Sequence, residues 1–293
     1  MGAMIALVTG ASSGIGQATA RRLAREPGAR LILVARREDR LRALANDLGG
    51  ATVVVADLLD EDAPARIADV VESEHGRLDL LVNNAGAAWR GQFGDVGWDN
   101  VRRHMELNFD ATVRLSEALL PILRRSAPSS IVNVASTAAR VARGNSGGYS
   151  ASKFALAGWN DALHLEERAH GVHVGMVLPG FIVTEGFPQQ ELRDKATTRW
   201  LVSTPDKVAD AIVEVGPGGR AERFVPRGYW LASALRTLAP RVVRRMLGRG
   251  STAMTPATGA DAQAHTRVQP KAESKAQPKT QSKAQPKTQP KAG

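Results

Sequence analysis

The sequence predicts an α/β fold: one doubly wound parallel sheet of about seven strands, with helices on both faces. Three observations carry that expectation. Short apolar runs recur along the chain, each is nearly continuous in Val, Leu and Ile, and a stretch of helical periodicity separates each from the next. A strand covered on both faces needs continuous apolar residues, and parallel neighbours need a crossover of helical length. The expected strands are residues 4–8, 31–35, 52–56, 78–82, 130–134 and 173–178, with 223–225 as a seventh. The pattern then stops, which places a boundary after residue 226 and divides the chain into 1–226, 227–250 and 251–293.

Composition bounds the classes. A chain of 293 residues that is 43% hydrophobic and 23% charged fits one soluble core rather than a fibre or a membrane span. The net charge of +10 resembles a nucleic-acid signal until it is located. Acidic and basic residues nearly balance as far as Gly216, and the excess lies beyond it. Specific nucleic-acid binding is therefore not expected, and an anionic partner would meet only the C-terminal segment. Cysteine is absent, so no disulfide framework or thiolate site can form. His104, His164 and His170 lack metal-ligand spacing, and no metal is expected. The first residues lack the features of a secretory signal, and Ala6 stands where myristoylation wants Ser or Thr, so a cytoplasmic protein is expected.

Residues 227–250 read as a basic amphipathic extension. Leu231, Leu235, Leu238, Val242 and Met246 form a stripe with Arg236, Arg241 and Arg244 mostly off it, interrupted by Pro240. Such a stripe packs on its own domain or a partner subunit, or lies on an anionic membrane surface; it is too short and charged to span one. In residues 251–293, Lys recurs every fourth position from Lys271 to Lys291, but Pro270, Pro278, Pro286 and Pro290 break a helix. An extended, disordered tail is expected.

Directly after the first strand comes Thr9-Gly10-Ala11-Ser12-Ser13-Gly14-Ile15-Gly16, followed by a helical stretch. Glycines there let backbone approach a pyrophosphate, and the helix start offers unpaired N–H groups to phosphate, as in a Rossmann-type dinucleotide site. The second strand ends in Val34-Ala35-Arg36-Arg37, with Ala35 where NAD-selective proteins place a carboxylate for the ribose 2′-hydroxyl. A 2′-phosphate fits the planar fork of Arg36, helped by Arg37, so NADP(H) is preferred over NAD(H), which stays possible.

Tyr149 and Lys153, at i and i+4, share one helix face. Free tyrosine has a pKa of about 10, and a neighbouring ammonium favours the phenolate, making Tyr149 usable as a base. Ser136 ends the fifth strand, where its hydroxyl can steady a substrate oxygen. Asn83-Asn84-Ala85-Gly86 closes the fourth strand, Asn108 follows in a helix, and Pro179-Gly180 closes the sixth. Every unusual polar motif thus falls at the carboxyl edge of the sheet.

In these motifs, over about residues 4–225, the chain resembles the short-chain dehydrogenase/reductase family, in its Tyr-x3-Lys branch. The motif residues Thr9 to Gly16, Asp57-Leu58, Asn83 to Gly86, Asn108, Ser136, Tyr149, Lys153, Pro179-Gly180 and Thr184 stand in the family's order. The resemblance implies that Asp57 contacts adenine, Asn108 holds a water relay, Lys153 also binds the nicotinamide ribose and Thr184 meets the carboxamide. It implies a homo-oligomer, dimer or tetramer. It implies hydride transfer between nicotinamide and a carbonyl or secondary alcohol, with Tyr149 as acid/base and Ser136 orienting the oxygen.

Two other readings compete. Gly144-Asn145-Ser146-Gly147-Gly148 matches a nucleophile elbow, with Asp161 and His173 downstream, but it lies well past the strand end. A catalytically silent dinucleotide sensor or scaffold would share the fold, although Ser136, Tyr149 and Lys153 are all present. The stretch Phe181 to Ser203, with Phe187, Trp200 and Leu201, is the expected lid, joined by Ala87 to Phe93; both suggest an apolar substrate.

Overall fold

The computed structural model describes residues 4–185 and 201–250. Strands and helices alternate from the start: β1 (Ile5–Thr9), α1 (Gly14–Leu23), β2 (Arg30–Ala35), α2 (Glu38–Asp47), β3 (Thr52–Val55), α3 (Ala63–His75) and β4 (Leu80–Asn83). Then come α4 (Phe93–Met105), α5 (Ala111–Arg125), β5 (Ser129–Val134), α6 (Gly147–Glu167) and β6 (Val172–Pro179). The chain continues through the short pair β7 (Phe181–Ile182) and β8 (Val202–Ser203) to α7 (Pro205–Val215), β9 (Glu222–Val225), α8 (Tyr229–Leu238) and α9 (Pro240–Gly250).

All seven expected strands join one parallel sheet, in the order β3-β2-β1-β4-β5-β6-β9. Side chains alternate between its faces, and both faces are covered, which is why the strands read as continuous apolar runs. Val8, Leu33 and Leu23 pack with Ile212 and Val215 under α1, α2 and α7. Leu7, Ile32, Ile67, Leu115 and Leu119 fill the other layer, under α3 and α5. Helix ends follow local chemistry: α3 has Pro64 in its first turn and stops at Gly76, whose φ of 66° only glycine adopts easily. Winding runs outward in opposite directions from β1 and β4, so the loops after these neighbours part and leave a crevice at their carboxyl ends.

The described part of the extension, α8 and α9, belongs to the same compact unit as the sheet. Tyr229 packs its ring over Gly180, and Val243 is buried. The stripe residues Leu231, Leu235, Leu238, Val242 and Met246 are all exposed, so they do not pack on the domain. The reason is the break at Ala239-Pro240, which ends α8 and lets α9 restart in a new phase with Val243 inward. No helix among the described residues is long and apolar enough to cross a membrane. The expected tail, 251–293, lies outside the described residues.

Candidate active site

The crevice begins with a backbone cradle. Gly10 and Gly14 hold φ of 66° and 54°, and a Cβ on Gly16 would come within 2.3 Å of the Gly10 carbonyl. Only glycine fits a turn that tight. The Thr9 hydroxyl accepts from the Asn84 and Ala85 N–H groups at 2.9 and 3.0 Å, and Asn84 Nδ2 donates to Thr9 O at 2.8 Å. The loops after β1 and β4 are thus tied together. The first turn of α1 carries no acidic residue and its N-cap Ser13 makes no side-chain cap bond, leaving its dipole open to an anion. Thr184 faces this cradle, its Cγ2 lying 3.3 Å from where a Gly14 Cβ would be. Ser12 and Ile15 are part of the same loop, while Leu58 is in the core.

The two arginines after β2 make different contacts. Arg37 turns back onto the cradle, donating to Ser12 Oγ at 3.0 and 3.2 Å and to Ser13 Oγ at 2.6 Å. Arg36 reaches Asp57 at 3.4 Å, and Asp57 also accepts from Leu59 N–H at 3.1 Å. Glycines that only backbone contact permits, and a guanidinium held on two hydroxyls beside a helix start, fit the phosphates of a dinucleotide.

Across the crevice lie the expected catalytic residues. Ser136, just past β5, accepts from Ala138 N–H at 3.1 Å and donates to Pro179 O at 3.4 Å, and it stands beside Tyr149. Lys153 Nζ donates to Val134 O at 3.0 Å and sits 5.9 Å from the Tyr149 ring centre. Asn108 lies in a π turn, Glu106–Asp110, between α4 and α5. Its amide is fully engaged: Oδ1 accepts from Ala87 N–H at 2.9 Å, and Nδ2 donates to Ala87 O and to Ser152 Oγ at 3.0 and 3.1 Å. Those bonds make the side chain a brace for the loop after β4. Gly86 is required beside it, because a Cβ there would lie 2.8 Å from Asn108 Oδ1. Pro179 ends β6, and Gly180 lets the Tyr229 ring approach to within 2.4 Å of where a Cβ would be.

Burial holds the Tyr149 phenol above its usual pKa; the neighbouring Ser136 hydroxyl and the charges of Arg143 and Arg90 oppose that. Burial pushes the Lys153 ammonium down to about 8, and its Nζ, tied to Val134 O, lies near the tyrosine ring.

Several crevice residues escaped sequence reading. His104, fully buried, holds Asn100 O at 2.6 Å through Nδ1 and accepts from Trp89 N–H at 2.9 Å through Nε2. A carbonyl can only accept, so the ring is neutral with its proton on Nδ1. Burial, and less so Arg103, keep its pKa low, against the pull of the Asn100 carbonyl. Arg103 stacks 4.5 Å over the Trp89 ring, and Arg143 stacks 4.4 Å over Phe181. Trp89 and Phe181 fell within stretches expected to line the pocket. A helix-facing His four residues from Asn108 was the one usable signal for the rest.

Ser146 does not form a hydrolase triad with His173. It precedes α6 and bridges to Gly91 at the carboxyl edge, whereas His173 is the second residue of β6, paired with Ser130 at the opposite edge. Of the expected lid, Phe187 and Trp200 lie outside the described residues, while Leu201 accepts a bond from the Tyr229 hydroxyl at 3.0 Å.

Comparison with known proteins agrees with this arrangement. The short chain dehydrogenase family model matches residues 4–195. An uncharacterized oxidoreductase of Mycobacterium bovis is 32% identical over 275 residues, covering 89% of this chain and 79% of that one. An actinorhodin polyketide ketoreductase solved with NADPH superposes with a TM-score of 0.68 at 28% identity, over 76% of this chain and 97% of the other. Pseudomonas aeruginosa RhlG, solved with NADP, gives 0.68 at 29% identity, over 76% and 94%. The chain therefore belongs to the short-chain dehydrogenase/reductase family of oxidoreductases.

Proposed function

We propose that this protein is an NADP(H)-dependent oxidoreductase of the cytoplasm that interconverts a carbonyl compound and its secondary alcohol, with Tyr149 as acid/base. The observation that carries the reading is the placing of Ser136 beside Tyr149 at the carboxyl edge of the sheet, close enough for the serine to lower the pKa of the phenol. The bound nicotinamide dinucleotide supplies or accepts the hydride. Ser136 positions the substrate oxygen, and Tyr149 donates its phenolic proton to that oxygen in reduction or removes it in oxidation. Arg143 and Arg90 support the phenolate that remains, while Lys153, held on Val134 O, offers its ammonium to the ribose. Asn108 keeps the loop after β4 in place. NADPH should be consumed with a panel of ketones and aldehydes, and Tyr149→Phe should lower kcat about 1,000-fold with NADPH affinity kept. Turnover surviving within tenfold would remove Tyr149 from its role; tight NADPH binding with no turnover on any carbonyl would favour the sensor.

The preference for NADP(H) is supported by Arg37 on Ser12 and Ser13, by Arg36 beside it, and by Ala35 in place of a carboxylate. Arg37→Glu should shift the ratio of kcat/KM for NADPH over NADH toward NADH by at least about tenfold. An unchanged ratio would exclude Arg37 from cofactor selection.

A homo-oligomer follows from the family. For the extension, the better-supported partner is an anionic membrane surface. Leu238, Val242 and Met246 are 83%, 51% and 63% exposed, and residues 229–250 carry five arginines and no acidic residue. Sedimentation with phosphatidylglycerol vesicles but not phosphatidylcholine vesicles, lost in a Leu238→Ser/Met246→Ser double variant, is the expected result. Concentration-dependent dimerisation lost in that variant, without vesicle binding, would assign the face to a second copy instead.

A further inference from the structure

We propose that Arg143 recognises an anionic group on the substrate, so that the carbonyl compound carries a carboxylate or phosphate rather than being purely apolar. The inference rests on Tyr149 being the acid/base and adds the class of molecule presented to it. Arg143 lies in the loop between β5 and α6, six residues before Tyr149. Two neighbours fix its guanidinium: the Phe181 ring lies 4.4 Å beneath it, and Thr137 Oγ1 accepts one N–H at 3.4 Å. Thr137 follows Ser136, and Phe181 follows Gly180. The charge is therefore held by the two residues adjoining the crevice motifs on β5 and β6.

Arg143 has no counterion among the described residues. Arg140 pairs with Glu222 at 2.6 Å, Arg223 with Glu214 at 2.8 Å and Arg22 with Glu26 at 2.6 Å, while Arg114, also shielded and without an ion pair, is committed to Leu58 O at 2.8 Å. Arg143 is half-buried and, among the described residues, forms no ion pair, while Arg90 adds positive charge that acts on both Arg143 and Tyr149. Removing a cation from water without a partner is costly, and an arriving anion relieves that cost. Among the described residues only one of the five guanidinium donors meets an acceptor, and weakly, which leaves donors for two parallel bonds to one oxyanion. Phe181 covers one face of the group. A carboxylate and a phosphate share this chemistry.

The test compares three substrates of equal chain length: a neutral methyl ketone, the corresponding keto acid and the corresponding keto phosphate monoester. Wild-type kcat/KM should favour at least one anionic substrate over the neutral ketone by about 10- to 100-fold. In Arg143→Met that ratio should fall to near unity; in Arg143→Lys, which keeps the charge and loses the fork, it should fall part way. Any general loss that reaches the reaction through Tyr149 cancels in the ratio. The relative size of the acid and phosphate ratios tells which anion the site takes. A wild-type ratio near unity, or a ratio that Arg143→Met leaves unchanged, would overturn the proposal while leaving the reductase standing. Calorimetric titration of the keto acid and keto phosphate into wild type and Arg143→Met needs no turnover. Should no carbonyl be reduced, binding weakened at least tenfold by the substitution would still support an anion site at Arg143, and equal binding would refute it. NADPH affinity should be the same in both proteins; weakening there, with the substrate ratio kept, would move Arg143 to the cofactor and overturn its assignment to the substrate.

Discussion

On the β1–β4 side of the crevice, backbone does most of the shaping: Gly10, Gly14, Gly16 and Gly86 leave no room for a Cβ or take positive φ, and the Thr9 hydroxyl ties two loops by accepting from the Asn84 and Ala85 main-chain N–H groups. On the β5–β6 side the shaping is done by side chains whose charge is set by burial: Tyr149 raised, Lys153 lowered, Arg143 lowered. The difference teaches how each half fails. A backbone cradle fails by steric intrusion and is indifferent to pH, whereas a cluster of desolvated charges fails by titration and keeps its shape.

The sharpest way to break this contrast is Gly16→Ala. The added carbon meets a carbonyl at 2.3 Å that no side-chain rotation can relieve. NADPH affinity, followed by cofactor fluorescence, should fall about 100-fold at every pH. Normal binding by this variant would show that the cradle is soft. A second, smaller effect belongs to the other half. Lys153 is charged below about 8 and neutral above it. NADPH binding should therefore weaken as pH rises through about 8, by at most about tenfold per pH unit. Lys153→Arg should move that limit beyond the measurable range, because a guanidinium does not deprotonate there. A flat wild-type profile would detach Lys153 from the cofactor.

The smallest effect is on folding. His104 is neutral in the folded chain, with its pKa held low, so the unfolded chain takes up its proton first as pH falls. The His104 contribution is complete above about 6.5 and declines as pH drops from there through the depressed folded value, by no more than about 1.4 kcal/mol per pH unit. Urea melts between pH 7.5 and 5 should show this slope, and His104→Gln should remove it. An identical slope in the variant would place the linked proton elsewhere.

The same contrast explains what could be read from sequence. All seven sheet strands and the run Thr9 to Gly16 were legible because each is a local pattern: buried strands demand continuous apolar residues, and a tight turn demands glycine. Tyr149 and Lys153 were legible because helical spacing alone puts them on one face. Arg143, Arg90 and His104 were not, since an arginine in a polar loop looks the same whether it faces water or a phenol. That Arg37 touches the cradle was not legible for a similar reason: which of two adjacent side chains turns back depends on the turn after β2. For the stripe in the extension, packing on the domain, on a partner or on a membrane stayed open, because apolar spacing marks a face without showing what covers it.

Tyr229 packs on Gly180 from the first turn of α8 and hydrogen-bonds Leu201. A chain trimmed at the last sheet strand would keep Ser136, Tyr149 and Lys153, yet open one wall of the crevice to solvent. Shortened versions and C-terminal fusions are thus best joined beyond α8, and a tag that tugs on this helix would be felt by the substrate.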